Sequence, residues 1–531
     1  MKILIITGHL AYPLVKKVLS EYDDNVLIHV ADSQVAAFLT PSKIIEEVKN
    51  NYEDQLSDID LILTPGLIRK DTSEITEKLN IPTFKGSSDC VDLAMVLDLI
   101  EEIELSEVKP ADKLIEEEKR RRALEFIKNF EADELKKDKL LKKTNNILIK
   151  NLPVGEDFPL RVLAEIPNAP SLSKEDLIKK CEYYIESGAD MIDIGMAAGE
   201  DFSDMIPDLI NTLRPIIGDR PLSIDTLNPK EIIKAAECGI DLVLSVDLGN
   251  CDEVVDILIE KNIPAILLPT NYSEGLVPHT PYERVKSMEK LIKQCNGLTF
   301  LADLILDPVN STSIVDSFVS VYEFRKSSEY PVFFGVGNVT ELMDADSTGA
   351  NMLLAAIAME LKCGILFTVE ESGKTLGSVY ELATASKMMF LAKNRSSIPK
   401  NLGIDLIEFK DKNKRLDIIG LGSEDQNVPT VESSEFEKFY LDPEGSFKVR
   451  VDYGKSPKES KIVVTHFKKA RADISIEGKY PKEIYDKIID LNLVSRLEHA
   501  AYLGRELQKA EIAMITGKEY VQDFELFKKR E

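Results

Sequence analysis

Between Phe158 and about Lys393, short apolar runs and amphipathic stretches alternate through eight rounds in about 235 residues. The runs lie at 161–166, 191–194, 222–225, 242–246, 265–268, 299–306, 332–336 and 365–369, each long enough for one buried strand. Helical spacing follows them, as over Lys174–Glu186, Pro229–Cys238, Tyr282–Gln294 and Gly349–Leu361. Eight such units in this length predict a closed (β/α)8 barrel, since a doubly wound sheet rarely needs so many. Residues 151–395 are assigned to it. Ahead of the barrel, residues 1–105 also alternate, with strand-like runs at Ile3–Ile6, Val26–Val30, Leu61–Leu63 and Ile81–Phe84, which predicts an open α/β domain. Residues 106–150 carry dense charge at helical spacing, including Glu116 to Arg122 and Lys136 to Lys139, and read as a solvated helical connector. After Arg395 the rhythm breaks. Short strands at Ile404–Phe409, Leu416–Leu421, Phe447–Val451 and Lys461–Phe467, then paired helices over Lys482–Leu507, predict a smaller α+β domain over 396–531.

Three barrel phrases end abruptly in polar residues or glycines: Ala189 to Gly195, Pro221 to Thr226 and Pro331 to Asn338. In a parallel barrel the C-terminal strand ends converge on one pocket, so polar groups there point to function. The second strand carries Asp193, the third ends at Asp225, and the sixth carries Asp303 and Asp307. Buried carboxylates at strand ends suit a ligand edge with adjacent N–H donors, such as the aminopyrimidinone of a pterin or guanine, because both oxygens accept together. Two other readings use the same residues: a divalent metal site, or capping of the helices that follow.

Composition narrows the classes. The net charge of −26 opposes nonspecific attraction to nucleic acid or anionic lipid. Six dispersed cysteines without a Cys-x-x-Cys pair fit reduced, buried thiols and argue against a secreted disulfide scaffold or a zinc site. Met1 to Gly8 reads as a first strand rather than a signal peptide, and the apolar stretch from Gly349 to Val369 is interrupted by Glu360, Lys362 and Gly364. A cytoplasmic protein is therefore expected. The turns at Thr7-Gly8-His9, Pro65-Gly66 and Lys85 to Ser88 could hold an anion, but no Gly-x-Gly-x-x-Gly or Walker pattern is present. His9 reads as a turn residue.

The strand-end phrases resemble those of the pterin-binding family, which includes dihydropteroate synthases and folate- or corrinoid-dependent methyltransferases. Ala189 to Gly195 resembles its Ala-Asp-Ile-Ile-Asp-Ile-Gly phrase, Pro221 to Thr226 its Pro-x-Ser-Ile-Asp-Thr phrase, and Ile305 to Pro308 its Ile-Leu-Asp-Pro phrase. With a domain on either side, the whole chain resembles the archaeal dihydropteroate synthase-related proteins, associated with methanopterin metabolism. The resemblance implies that Asp225 and one sixth-strand aspartate, Asp303 or Asp307, grip the pterin ring, with Asp193, Gly335 and Gly337 around it. In the fourth strand, Ser245 or Asp247 stands near where the family places an asparagine.

The departures divide the family's reactions. A synthase ends its seventh strand in Ser-Arg-Lys and its eighth in an Arg-x-His phrase, to hold a departing diphosphate. Here those strands end Gly337-Asn338-Val339-Thr340 and Val369-Glu370-Glu371-Ser372, so the cations are missing, two carboxylates stand nearby and diphosphate binding is opposed. Glu165 to Pro170 also matches the synthase's first-strand phrase only loosely. Gly335 to Thr340, by contrast, resembles the Gly-x-Ser-Asn-x-Ser/Thr phrase of the pterin-dependent methyltransferases, and Asp225 to Pro229 resembles their third-strand turn. By that resemblance Asn338 contacts N5 of a reduced pterin of tetrahydromethanopterin type, where a carboxamide can both donate and accept as the nitrogen gains a proton and loses a methyl group. No Asp-x-His-x-x-Gly cobalamin phrase occurs, so a corrinoid would arrive on a partner protein. One-carbon transfer, synthase-like condensation with an arylamine, and noncatalytic pterin carriage all remain open. His279 lies in a loop at the mouth, and Arg496, His499 and Arg505 lie on a C-terminal helix where packing competes with binding of an anionic tail. No metal is assigned. Related barrels often dimerise, so a homodimer is expected.

Overall fold

A computed structural model describes residues 1–22, 25–101, 103–410, 431–432, 440–454 and 459–527. The chain forms two compact units, residues 1–134 with 391–405, and residues 135–390 with 406–531.

The first unit is built on four parallel strands, β1 (Ile3–Thr7), β2 (Val26–Val30), β3 (Leu61–Thr64) and β4 (Thr83–Lys85), in the order β2-β1-β3-β4. Strands β1 and β3 are buried along their whole length, which is why they read as continuous apolar runs rather than alternating ones. Two of the turns considered for an anion instead close on each other: a Cβ on Gly66 would overlap the backbone of Gly86 to Ser88. The Lys85 amine is occupied, donating to the Ile68 carbonyl at 2.9 Å. His9 is exposed. The charged run forms the helix Glu116–Ala132, flanked by Ala111–Leu114 and Glu134–Leu140. It is not solvated on every face, because Ala123 and Phe130 are buried and Lys119 forms a buried ion pair with Asp92.

In the second unit an antiparallel hairpin, β5 (Asn146–Ile149) and β6 (Leu152–Gly155), precedes the eight parallel strands. These are β7 (Arg161–Ile166), β8 (Met191–Gly195), β9 (Leu222–Asp225), β10 (Leu242–Val246), β11 (Ala265–Leu267), β12 (Phe300–Asp303), β13 (Val332–Gly335) and β14 (Cys363–Val369), and they close into a barrel. A helix follows every strand, and several begin on side-chain caps: Ser173, Asn228, Thr280 and Ser313 each accept from a backbone N–H of the first turn. The interior is a packed core. Leu163, Met191, Leu242, Leu244, Ile266, Leu301, Phe333 and Ile365 meet there, and Ile149 and Val154 of the hairpin join the same cluster. The hairpin thus plugs the barrel, a role that the sequence reading of a helical connector left out.

The C-terminal sheet is antiparallel, with β15 (Ser446–Asp452), β16 (Lys461–Lys468) and β17 (Arg471–Gly478) in chain order. Helices Pro481–Asp490 and Leu497–Thr516 pack on one face through Phe447, Val449, Ile462, Val464, Ile484 and Leu507. Two expectations for this region need correction or setting aside. Ile404–Phe409 is irregular backbone rather than a strand, and Leu416–Leu421 lies outside the described residues. Strand β17, mostly exposed and rich in polar residues, escaped the sequence reading although Ala472, Ile474 and Ile476 alternate along it; only Ile476 is buried in the core, and the strand pairs with β16. Among the described residues, no helix is long and apolar enough to cross a membrane.

Candidate active site

Strand alternation decides which side chains enter the barrel. Glu165 of β7 is in register with Asp193 of β8, Asp193 with Ser223 of β9, and Gly195 with Asp225. These positions share the parity of Leu163 and Met191, which belong to the interior core, so the carboxylates stand directly above that apolar floor. Glu165, Asp193 and Asp225 each bring an oxygen within 4.8 Å of the others. Asp193 is deepest. It is fully buried, one oxygen accepts from the Ser223 hydroxyl, and Oδ2 has no partner. Glu165 and Asp225 are partly exposed, and among the described residues neither carboxylate has a hydrogen bond within the protein.

Burial and crowding raise these carboxyls above the ordinary carboxylate range. Burial, then repulsion from Glu165 and Asp303, pushes Asp225 up to about 8. Burial dominates at Glu165 as well, where Lys180 opposes and Glu371 adds to the shift, leaving it at about 7. Asp193 is raised well above the carboxylate range by burial and by the charges of Asp225 and Glu165. Asp303, at the end of β12, rises to about 6 through burial, although the Ile305 N–H donating at 2.8 Å and the Arg284 charge pull it down.

Glu165 was absent from the sequence reading of the site. Its signal was its place two residues beyond Leu163 on an alternating strand, which puts it on the inner face. Gly195 is what makes room for it: a Cβ there would overlap the Glu165 carboxylate.

The other predicted residues separate into groups. Asn338 sits on a single helical turn, Gly337–Thr340, with its side chain exposed at the rim. Its Nδ2 donates to the Leu306 carbonyl at 3.1 Å, and Oδ1 carries no protein hydrogen bond among the described residues. Both preceding glycines are close-packed, since a Cβ on Gly335 would lie 3.1 Å from Asn338 Nδ2, and one on Gly337 would lie 3.3 Å from the Val369 nitrogen. Ser245 is partly buried, with a hydroxyl that makes no hydrogen bond among the described residues.

Asp247 and Asp307 are already engaged. Asp247 accepts from the Gly249 and Asn250 N–H groups at 2.8 and 3.1 Å, from the Thr270 hydroxyl at 2.8 Å and from the Tyr272 N–H at 2.7 Å. It ties together the loops after β10 and β11. Asp307 lies beyond β12 in the following loop and forms an ion pair with the buried Arg284 guanidinium. That guanidinium also donates to the carbonyls of Leu304 and Ile305, at 3.2 and 2.7 Å, and so holds the loop in shape. Of the two sixth-strand aspartates, Asp303 is therefore the one whose charge reaches Asp225.

Around the eighth strand, Glu370 is buried and accepts from the Tyr183 hydroxyl and the Val379 N–H, both at 2.9 Å, whereas Glu371 is exposed. His279 is exposed in its loop. In the C-terminal domain, His499 lies 3.2 Å from Asp442, Arg496 pairs with Glu498, and Arg505 lies 3.9 Å from the buried Glu506.

A parallel barrel with partly unpaired carboxylates at its strand ends defines the class, and residues 168–351 match the family described as pterin binding enzyme. Residues 441–523 match a second family, PterinBD-DUF4346. Over 537 aligned residues, covering 99% of both chains, the sequence is 45% identical to an uncharacterized protein of Methanocaldococcus jannaschii. The chain belongs to the same family as that archaeal protein. A Ycf91-like protein of a Nostoc species is 34% identical over 106 residues, covering 16% of this chain and 84% of that protein. Solved structures similar to it include the Xanthomonas albilineans dihydropteroate synthase in complex with indole-2-carboxylic acid and 6-chloroguanine, at 16% identity and a TM-score of 0.37 over 48% of this chain and all of that one. The Thermus thermophilus dihydropteroate synthase gives 14% identity and a TM-score of 0.36 over 45% of this chain and 96% of that one.

Proposed function

We propose that the barrel binds a reduced pterin, of tetrahydromethanopterin type, and transfers a one-carbon group at its ring. The observation that carries this reading is the pair Asp225 and Asp303: two strand-end carboxylates of which, among the described residues, the first accepts no hydrogen bond and the second accepts only from the Ile305 N–H. The 2-amino and N3–H donors of a pterin offer these carboxylates what the protein does not supply. Binding such an edge would favour the ionised form of Asp225, which burial and the acids beside it push up to about 8.

Asn338 supports transfer at N5. With Nδ2 anchored on the Leu306 carbonyl, its Oδ1 remains to accept a hydrogen bond from the N–H formed when a proton arrives on the ring nitrogen. The acidic surroundings oppose the condensation reading. Glu371 and Glu165 repel each other at the mouth, and Lys374, in the same loop, is paired with Asp344, so a departing diphosphate would meet mostly negative charge. The methyl acceptor on this reading is a corrinoid or similar group carried by another protein.

Titration calorimetry with tetrahydromethanopterin and with tetrahydrofolate tests the pocket. Saturable binding is expected for the wild type, and Asp225→Ala should weaken it about a hundredfold. Binding to no reduced pterin would overturn the proposal. If the pterin binds but is recovered unchanged in every transfer assay, and Asn338→Ala changes nothing, the barrel is a carrier and the catalytic half fails.

A further inference from the structure

Glu165, Asp193 and Asp225 form a constellation that pterin recognition does not use up. Their oxygens lie within 4.8 Å of one another, the spread that one ion spans when its metal–oxygen bonds are about 2.1–2.5 Å. No Lys or Arg is hydrogen-bonded to any of the three among the described residues, and Lys180, the cation whose charge reaches Glu165, has its Nζ 5.9 Å from the centre of the Tyr184 ring. A second observation is independent of the clustering. Asp193 is fully buried, and among the described residues its Oδ2 has no donor, although Ser223 already serves the other oxygen. A carboxylate oxygen held dry without a partner is costly, and a coordinated cation removes that cost. Gly195 adds a third: the backbone carries no side chain at a position where a Cβ would overlap the Glu165 carboxylate.

We infer that Glu165, Asp193 and Asp225 hold a divalent cation of the Mg2+ or Mn2+ class at the floor of the barrel pocket. Three hard oxygen donors with no His or Cys among them suit such an ion better than zinc, and three donors leave coordination positions for water or ligand. Asp225 has two oxygens, so it can bind the ion with one and face the pterin edge with the other. The site needs Glu165, which the pterin reading does not, so each proposal can fail without the other.

Full-length protein stripped with EDTA and titrated with Mn2+, with free Mn2+ read by electron paramagnetic resonance, tests the site. One saturable Mn2+ per chain is expected, displaced by Mg2+ and weakened at least about tenfold by Glu165→Gln and by Asp193→Asn. Gly195→Ala removes no carboxylate yet should weaken Mn2+ equally by displacing Glu165, which guards against a charge-neutralising variant that fails to fold. Circular dichroism of each variant checks the fold. Absence of saturable Mn2+ up to about 1 mM, or affinity unchanged in all three variants, overturns the inference. Reduced-pterin titration in EDTA, on wild type and Asp303→Asn, runs beside it. Mn2+ binding without pterin binding sinks only the functional reading, and the converse sinks only the metal site.

Discussion

The aspartates at this barrel's mouth fall into two sets that look alike in sequence and behave oppositely in the fold. Asp247 and Asp307 are saturated, one by four donors from two loops, the other by a buried guanidinium that also clasps two carbonyls. Asp193, Asp225 and Glu165 are undersatisfied, with a single hydrogen bond from Ser223 among the three of them in the described residues. A saturated carboxylate builds the wall, and an unsaturated one is a place for a ligand. The difference lies in the neighbours: Arg284 and the N–H groups after β10 and β11 are aimed at the first set, while the second set clusters with itself and receives, among the described residues, only the Ser223 hydroxyl.

The contrast predicts stability changes of opposite sign. The largest is expected at Asp307→Ala, which leaves Arg284 buried without its carboxylate and should cost about 3–5 kcal/mol in chemical denaturation. Asp247→Ala strands the donors of two loops, and a loss of about 2–3 kcal/mol is expected. A neutral result at either position would erase the distinction.

Across the unsaturated set the effect reverses with pH. In EDTA-treated, pterin-free protein, Asp303, Glu165 and Asp225 hold protons up to about 6, 7 and 8, above their values in the unfolded chain. The stability tied to them is complete below about pH 4 and is lost as pH rises through those values. Thermal unfolding at pH 8.5 should therefore show Asp225→Asn more stable than wild type by a few degrees, with the gain fading at pH 5. An equal or lower midpoint at pH 8.5 would mean that the acids are already compensated. The smallest effect is expected at Asn338→Ala: its side chain is exposed and makes one hydrogen bond, so stability should move by no more than about 0.5 kcal/mol. A change limited to turnover there, with the fold intact, sharpens the division between wall and site.

Much of the barrel was legible because a parallel sheet buried on both faces writes itself as apolar runs. Seven of the eight strands lie within two residues of the predicted bounds at each end, among them Arg161–Ile166 and Leu222–Asp225 without any shift. The sixth shortened to Phe300–Asp303, since Ile305 adopts a positive φ of 66° and turns the chain out of the sheet. The four-residue strands of the hairpin β5–β6 were missed because each is too short to show a period and becomes a strand through its partner, whereas β17 was missed because the apolar positions that alternate along it are separated by exposed polar residues.

The candidate site was legible only as a list of residue types. Apolar runs that end abruptly in polar residues placed Asp193, Asp225 and Asp303 at strand ends, and the sequence alone could determine that much, because where an apolar run stops is a local property. Which aspartate is spent on Arg284, which oxygen is left without a donor, and that Glu165 joins Asp193 and Asp225 over a glycine at 195, were decided only by the closing of the barrel. Hydrogen-bond saturation and mutual repulsion depend on distances across strands, and no spacing along one chain encodes them until register and closure bring those strands side by side.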